Sequence, residues 1–468
     1  MKRKTVSLCM IARDEEATIG LAVKSIMALV DEIIVVDTGS RDNTRIIAEG
    51  YGARVIDFPW QDDFAAARNA GLAEASSEWI LILDADERLQ PVRPVEFQRL
   101  LRSNTVAGYR LQLRGSAGGQ NREVLDRVRL FRNESDIQYR YPIHEQIAPA
   151  LEDWAAQTSL EIREAELMIL HEGRPQQNSV DRRDRNLRIL RLAVVSDPQE
   201  PYFEYQMACE MLVMLADEVL PVAGLSESLH NLERSWHKIQ ALQPDERLRL
   251  TYAPDLAAKL TAVYLCCSRL EQARQVAEEG RRLHGDQPLL LLQAIAADTR
   301  YLQEFAPDLE PERTASLLAR VRCDIDSLRS GQTSTSSPLY QDRISTLYPL
   351  RYLGELALLE GKVSVAAELF EKALTIDHSY SFAWLGLAEC ARFAGDRKRA
   401  LKLYLRTVTE NERNHRAWLR GSSLLEELEF HDNAASWRRK VMTHFPEHPL
   451  LQRTEVGRHE PSQPPVSV

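Results

Sequence analysis

Short apolar runs alternate with helix-length amphipathic segments over the first 90 residues of the chain. Strands separated by helices in this way predict βαβ units and a parallel sheet. The predicted strands are Val6–Ala12, Ile33–Val36, Arg54–Ile56 and Trp79–Leu83. The predicted helices are Glu15–Leu29, Asn43–Tyr51 and Phe64–Ala75. Ligands of such sheets bind beyond the carboxyl ends of the strands, so we expect a site at that edge.

The pattern changes between residues 107 and 170, where polar residues interrupt the apolar runs. We expect four further strands there, at Tyr109–Leu113, Val124–Phe131, Tyr139–Ile147 and Ile162–Leu170. Together they predict a mixed β segment that closes one side of the site.

From about residue 175 the pattern is helical, and its last part repeats every 34 residues, as the spacing of Ala366, Ala400 and Ala434 illustrates. Further pairs share this spacing: Gly361 and Gly395, Phe370 and Tyr404, Trp384 and Trp418, Leu353 and Leu387. The period and its small residues resemble the tetratricopeptide repeat. Three repeats are expected over about 347–450, with a weaker unit around Ala273.

These patterns divide the chain into four parts. We predict an α/β domain over 1–180, a helical region of degenerate repeats over 181–340 and three tetratricopeptide repeats over 341–452. A disordered tail is expected over 453–468, and residues 331–338 are expected to form a flexible linker.

Composition narrows the classes of protein. The 468 residues carry 59 Lys and Arg against 69 Asp and Glu, a net charge of −10, which argues against binding to nucleic acid. The six cysteines are scattered without CxxC spacing, so we expect reduced, buried thiols and a cytoplasmic protein. No stretch approaches the roughly 18 apolar residues of a membrane span, and none is predicted.

Carboxylates and one arginine carry the candidate chemistry. Asp84 and Asp86 follow a predicted strand, where they could bind a divalent cation together with phosphate oxygens. Asp37 ends the second strand and is expected to point into the crevice. Arg68 lies on the third helix; an arginine there is usually solvated, but near a crevice it can hold a phosphate.

Four segments together resemble family 2 glycosyltransferases with the GT-A fold. They read SLCMIARDEE, VVDTGSRDNT, WQDDFAAARNAGL and WILILDADE. The similarity is greatest to a bacterial subgroup that joins this domain to tetratricopeptide repeats and includes enzymes similar to peptide S-glycosyltransferases. The expected fold class is therefore a GT-A α/β domain followed by an all-α repeat domain.

The resemblance implies roles for residues that would bind the donor, a nucleotide-diphospho-sugar. Asp37 would contact the nucleobase. Ala12, Arg13 and Glu15 would line the base and ribose, although Asp14 stands where the family usually has Asn. By the same resemblance, Asp84 and Ala85 would lie on the ribose side of the donor. Arg68 would lie near the base or the pyrophosphate.

The resemblance also implies a divalent cation, Mn²⁺ or Mg²⁺, bound to the diphosphate of a UDP-sugar. Asp86 would bind this metal, with Asp84 beside it. His171 is a further candidate ligand of metal or phosphate, and a purely structural histidine at a strand end is an equal alternative. The metal would act as a Lewis acid that stabilises the leaving diphosphate.

A family 2 enzyme is expected to invert the anomeric centre in one displacement, which requires a general base on the acceptor side. Glu145 is the first candidate for this base and Glu87 the second. His144 is expected to orient the carboxylate or to touch the diphosphate.

The expected function is sugar transfer to a peptide or protein, with the helical half supplying much of the acceptor site. Two alternatives stay open: a glycan or lipopolysaccharide-type acceptor, and a non-catalytic repeat scaffold with a degenerate transferase domain. A homodimer also stays open. A dehydrogenase-type dinucleotide site is excluded because no GxGxxG follows the first strand. A phosphate-binding loop of the GxxxxGK[ST] type is excluded as well, because the one Gly-Lys pair, Gly361-Lys362, is followed by Val and lies in the repeats.

Overall fold

A computed structural model describes residues 3–115, 124–171, 179–216, 224–330 and 343–444. The chain divides into two compact units, Met1–Pro198 and Gln199–Val468. The predicted linker at 331–338 and the predicted tail at 453–468 lie outside the described residues. Among the helices that the structure describes, none has the length and apolar character needed to cross a bilayer.

The first unit is a mixed sheet with helices packed against it. Its strands are β1 (Val6–Ala12), β2 (Glu32–Asp37), β3 (Arg54–Asp57), β4 (Trp79–Ile82), β5 (Glu87–Leu89), β6 (Val106–Gly115), β7 (Val124–Arg132) and β8 (Glu161–His171). Its helices are α1 (Ile19–Ile26), α2 (Thr44–Gly50), α3 (Phe64–Ala73), α4 (Pro94–Leu101), α5 (Ala148–Thr158) and α6 (Ser179–Ser196).

The order of strands in the sheet is β3-β2-β1-β4-β7-β6-β8-β5. β1 to β4 pair in parallel, which confirms the expected βαβ array. β7 pairs antiparallel with β4 and β6, and β5 pairs antiparallel with β8, so the second half of the sheet is mixed as predicted. All four residues of β4 are buried, as expected of a central strand covered on both faces.

Helix α3 packs closely on the parallel strands because it is rich in small residues. A Cβ on Gly71 would lie 3.1 Å from Cγ2 of Val36, so a larger residue would push the helix away. This close approach sets the position of Arg68, one turn earlier on the same helix, near the carboxyl ends of the strands.

The strand predicted at Tyr139–Ile147 is wrong. The segment is a loop with one isolated bridge between Arg140 and Gln146, and helix α5 follows it. Pro142 has no N–H to donate to a ladder, and Tyr141 and His144 have positive φ angles of 72° and 52°. The short strand β5 and helices α4 and α5 are not predicted by the sequence, because their apolar patterns are too short to separate from a loop.

Every described element of the second unit is helical. The first part contains α7 (Pro201–Ala216), α8 (Gly224–Ala241), α9 (Pro244–Arg249), α10 (Ala253–Cys266), α11 (Leu270–His284), α12 (Pro288–Phe305) and α13 (Pro311–Arg329). A π-helical turn at Arg343–Leu347 leads into α14 (Tyr348–Leu359), α15 (Val363–Ile376), α16 (Ser381–Phe393), α17 (Arg397–Glu410), α18 (His415–Glu427) and α19 (His431–His444).

The last six helices form three antiparallel pairs with the 34-residue period. Ala366, Ala400 and Ala434 have no exposed surface, which is consistent with close helix approach at these positions. Phe370 fills the space beside two glycines, since a Cβ on Gly386 would lie 2.3 Å from its ring. Small residues and aromatics therefore divide the packing as the repeat pattern predicts.

Candidate active site

The carboxyl ends of β1, β2 and β4 meet at one edge of the sheet. Ala12 is paired with Asp37 across β1 and β2, and Cys9 is paired with Ile82 across β1 and β4. Asp84 follows Ile82 by two residues, so it leaves the sheet at the same edge as Asp37. The predicted donor-binding residues are thus brought to one edge.

Asp37 is held firmly although it lies at the mouth of the sheet. It is 2% exposed, and it accepts hydrogen bonds from the hydroxyl and the backbone N–H of Ser40. Arg45 on α2 lies 3.9 Å from its Oδ2 and also pairs with Asp57. The carboxylate is therefore charge-compensated and orientated before any ligand arrives.

The segment after β1 is closed against the loop after β2. Asp14, with a φ of 54°, donates its N–H to Ser40 Oγ at 3.0 Å and accepts from the Arg41 N–H at 2.7 Å. The N–H of Glu15 donates to Thr44 Oγ1 at 2.7 Å. These bonds give Asp14 a structural task at the position where the resembled family usually has Asn.

The side chains of this segment differ in their surroundings. The Glu15 carboxylate accepts from the hydroxyl of Thr18 at 2.7 Å, whereas the Arg13 side chain is 49% exposed. Ala12 is 4% exposed and its carbonyl accepts from the Thr38 N–H at 3.0 Å, so this residue presents little surface to a ligand.

Arg68 connects two of the predicted site residues. Its Nε donates to Glu145 Oε1 at 2.6 Å and its Nη2 donates to Asp84 Oδ1 at 2.8 Å. The guanidinium also lies over the ring of Tyr139, 5.3 Å from the centroid, and its side chain is only 9% exposed. A solvated arginine, the usual expectation for a helix, is therefore excluded in favour of a buried one at the site.

Asn69 holds the loop that carries Glu145. Its side chain donates to the carbonyl of Tyr139 at 2.9 Å and accepts from the Tyr139 N–H at 2.8 Å. The N–H of Phe64 donates to the carbonyl of Pro142 at 2.8 Å. Because helix α3 is hydrogen-bonded to the loop at two points, Glu145 has a defined position relative to Arg68.

Arg129 on β7 is a site residue for which the sequence predicts no role. Its Nη2 donates to Glu87 Oε1 at 2.7 Å and to Asp84 Oδ2 at 3.2 Å. The sequence does contain a signal, since Arg129 stands between two apolar residues of a predicted strand, Val128 and Leu130. A charged residue at such a position requires a buried partner.

The carboxylates of this cluster are affected in opposite directions. Burial and the neighbouring charge of Asp84 raise the pKa of Glu87 to about 7. Burial alone would also raise the pKa of Asp84, but Arg68 and Arg129 hold it far below its usual range. Glu87 is 1% exposed, and its Oε2 accepts from the Asp84 N–H, so both of its oxygens are used within the protein.

Asp86 and His171 form a second pair at the same edge. Strands β5 and β8 place Glu87 opposite His171, and Nε2 of His171 lies 3.1 Å from Oδ2 of Asp86. This hydrogen bond raises the pKa of His171. Among the described residues, no group of three or more His, Cys, Asp or Glu side chains could hold a metal unaided.

The donor set nevertheless suits a cation that binds together with a substrate. One carboxylate oxygen and one imidazole nitrogen lie within reach of a single ion, and magnesium or manganese commonly takes its remaining ligands from phosphate and water. Asp84 would have to leave an arginine to join them, because each of its oxygens is already in an ion pair.

His144, the remaining predicted residue, is exposed beside Glu145. Its positive φ of 52° turns the chain so that Glu145 points back towards helix α3. The structure thus gathers Arg68, Asp84, Glu87 and Glu145 in one cluster with Arg129, and keeps Asp37 and the Asp86–His171 pair as separate groups.

Comparison with known proteins shows that residues 7–148 match glycosyl transferase family 2. A TPR repeat-containing protein of Synechococcus elongatus is 42% identical over 147 residues, covering 31% of this chain and 36% of that protein. The lipopolysaccharide core biosynthesis glycosyltransferase LpsC of Rhizobium meliloti is 28% identical over 158 residues, covering 31% of this chain and 57% of that protein. This chain therefore spans about a third and a little over half of these relatives.

Among solved structures, glucosyl-3-phosphoglycerate synthase of Mycobacterium tuberculosis in complex with Mn²⁺, UDP and glucosyl-3-phosphoglycerate is similar, with 25% identity and a TM-score of 0.30. The similarity covers 37% of this chain and 73% of that one. The family match, together with the mixed sheet, confirms the GT-A fold class expected from the sequence.

Proposed function

From the premise that the first unit carries a family 2 glycosyltransferase domain, we propose that the chain transfers a sugar from a nucleotide-diphospho-sugar to a peptide or protein acceptor with inversion at the anomeric carbon. The observation that carries this proposal is the position of Arg68, which joins the acidic strand end at Asp84 to the Glu145 loop. Donor side and acceptor side of a transfer reaction are thereby connected by one buried side chain.

The donor would bind along the carboxyl edge of the parallel strands. Asp37 is orientated by Ser40 to accept a hydrogen bond from the base, as a uracil N–H would offer, and we propose a UDP-sugar as donor. Ala12 and the exposed side chain of Arg13 would flank the nucleoside, and the Glu15 carboxylate would accept a hydrogen bond from a ribose hydroxyl.

A divalent cation bound by Asp86 and His171 would supply positive charge to the leaving diphosphate. Arg68 is buried against two carboxylates, so its positive charge is neutralised by Asp84 and Glu145, and its main effect is to orient them. Asp84 and the adjacent Ala85 would then form the wall beside the ribose.

Glu145 is the proposed general base. Its Oε1 accepts the hydrogen bond from Arg68, which is the one bond to this carboxylate among the described residues. Its Oε2 would therefore face the acceptor substrate. Because Arg68 holds the carboxylate in place, Oε2 can accept the proton of an attacking hydroxyl or thiol. Glu87 is buried with both oxygens bonded, which favours a role in positioning Asp84.

The acceptor class rests on the helical repeats, which commonly bind peptides. The relative named as a TPR repeat-containing protein, which is 42% identical over 147 residues, supports this choice. The relative named for lipopolysaccharide core biosynthesis supports the second candidate, a glycan acceptor. A scaffold without catalytic activity is the third, and it predicts no turnover of any donor.

The test is a donor panel of UDP-, GDP- and dTDP-sugars with Mn²⁺, read by release of nucleoside diphosphate and by mass spectrometry of added peptides and glycans. Glu145→Gln should abolish transfer while leaving donor binding intact. Glu96→Gln, an equivalent change on the surface of α4, is the matched control and should have wild-type activity. Full activity of Glu145→Gln, or no turnover with any donor, would contradict the proposal.

A further inference from the structure

Four arginines and one buried carboxylate lie close together in the helical unit. Arg300 lies on α12, Arg351 on α14, and Arg416 and Arg420 lie on α18. The carboxylate belongs to Glu355 on α14, whose side chain is 7% exposed. Nε of Arg351 donates to its Oε1 at 2.9 Å. We refer to these four arginines as the arginine cluster.

Gln303 uses the second oxygen of this carboxylate. Its amide donates to Glu355 Oε2 at 2.7 Å, and its own oxygen accepts from Arg416 Nη2 at 2.8 Å. Nη1 of Arg416 is 3.9 Å from Glu355 Oε1, and this buried nitrogen has no hydrogen-bond partner within the described ranges. Both oxygens of Glu355 therefore already accept hydrogen bonds, from Arg351 and Gln303, and neither accepts one from Arg416.

Positive charge exceeds negative charge at this place. Burial and the nearby charge of Arg416 lower the pKa of Arg300 to about 9, while Glu355 and the exposed Glu304 act in the opposite direction. Burial also lowers the pKa of Arg416, although the negative charges of Glu355 and Glu389 act to raise it. Like charges that are desolvated together destabilise each other. An additional anion would relieve this cost.

The third repeat creates the charge at positions where the first two repeats are uncharged. Equivalent positions, 34 residues apart, carry Tyr348, Phe382 and Arg416 in one row and Tyr352, Gly386 and Arg420 in the other. The guanidinium of Arg351 lies over Phe382 at 3.8 Å and over Tyr352 at 4.6 Å. The cluster thus combines flat aromatic rings with guanidinium groups, a combination that suits peptide side chains.

We propose that the arginine cluster binds a carboxylate of an acidic peptide segment, which approaches from the side of the exposed Arg420. The cluster already holds one carboxylate, Glu355, between a guanidinium and an amide, so a second carboxylate would meet the same donor chemistry. Nη1 of Arg416 is the donor that gains a partner. This binding does not depend on the transfer reaction proposed for the first unit.

Fluorescence anisotropy of the full chain tests the proposal, without nucleotide or metal and at 150 mM salt. The probe is a labelled hexapeptide of alternating Glu and Gly, and its counterpart has Gln in place of Glu. Arg420→Gln and Arg300→Gln should each weaken binding of the acidic probe about tenfold, as expected for loss of a contact to a charged group. Arg399→Gln, an exposed arginine on α17, is the matched control and should bind as the wild type does.

Equal affinity for the Glu and Gln probes would overturn the proposal, as would an equal loss in the Arg399→Gln control. A phosphoserine probe distinguishes the source of the anion: if it binds and the Glu probe does not, the site recognises phosphate and the carboxylate assignment is wrong. Since Arg420 is exposed, its substitution tests the site without disturbing the buried ion pair.

Discussion

Arg68 and Glu145 are 77 positions apart in the chain, yet Nε of Arg68 donates a hydrogen bond to Oε1 of Glu145 at 2.6 Å. The same guanidinium reaches Asp84, so a single residue on α3 defines the distance between the strand end and the loop. The side chain is buried, and its two carboxylate partners compensate the cost of removing its charge from water.

Arg68→Met should therefore destabilise the first unit strongly. Removing one member of a buried ion pair leaves the other charges unpaired, which costs about 3 kcal/mol of unfolding free energy. Urea denaturation followed by circular dichroism measures the change. Arg163→Met on β8, whose side chain is 50% exposed, is the control and should change stability by less than about 1 kcal/mol. Equal effects of the two substitutions would contradict the structure.

Asp86→Asn should weaken the joint binding of metal and nucleotide. A ligand that binds only the folded state raises the melting temperature, so Mn²⁺ together with UDP should stabilise the wild type. The variant should show a smaller rise because it loses one of two proposed protein ligands. Asp153→Asn on α5, a carboxylate that is 48% exposed, should respond as the wild type does. A full rise in Asp86→Asn would remove Asp86 from the metal site.

Glu355→Gln should destabilise the helical unit in a pH-dependent way. Burial alone would raise the pKa of Glu355, but Arg351 and Arg416 lower it below its unfolded value. The stabilisation is consequently present above the unfolded pKa and lost as the pH falls through the folded one. We expect a loss of about 3 kcal/mol at pH 7 that shrinks towards pH 3. Denaturation at both pH values, with Glu368→Gln on the exposed face of α15 as control, decides whether the difference closes.

Glu429→Gly should stabilise the third repeat. Gly361 and Gly395 occupy the equivalent turns with φ angles of 73° and 77°, and Glu429 adopts 64° at the same position. A left-handed conformation costs a residue with a Cβ about 1 kcal/mol, so glycine should return about that amount. Glu429→Gln retains the strain and serves as control. A melting temperature that falls in the glycine variant would show that the side chain contributes more than the strain removes.

Much of the site can be predicted because its residues stand at strand ends. Asp37 and Asp84 follow buried apolar runs, and the parallel arrangement brings such positions to one edge whatever the loops do. Arg129 cannot be assigned in the same way, since nothing in its local pattern says which carboxylate it meets. The apolar residues of Tyr139–Ile147 alternate and so predict a strand, but Pro142 and the left-handed backbone at Tyr141 and His144 prevent a regular ladder.

The parallel strands, the helical repeats and the acidic strand end can be predicted from the sequence, because they depend on local periodicity and on residues close together in the chain. Packing in three dimensions joins Arg68 to Asp84 and Glu145, brings Asp86 to His171, and places Arg416 beside Glu355. These contacts join residues far apart in sequence. Their partners are set by the packing of helices and strands, and no local pattern encodes that packing.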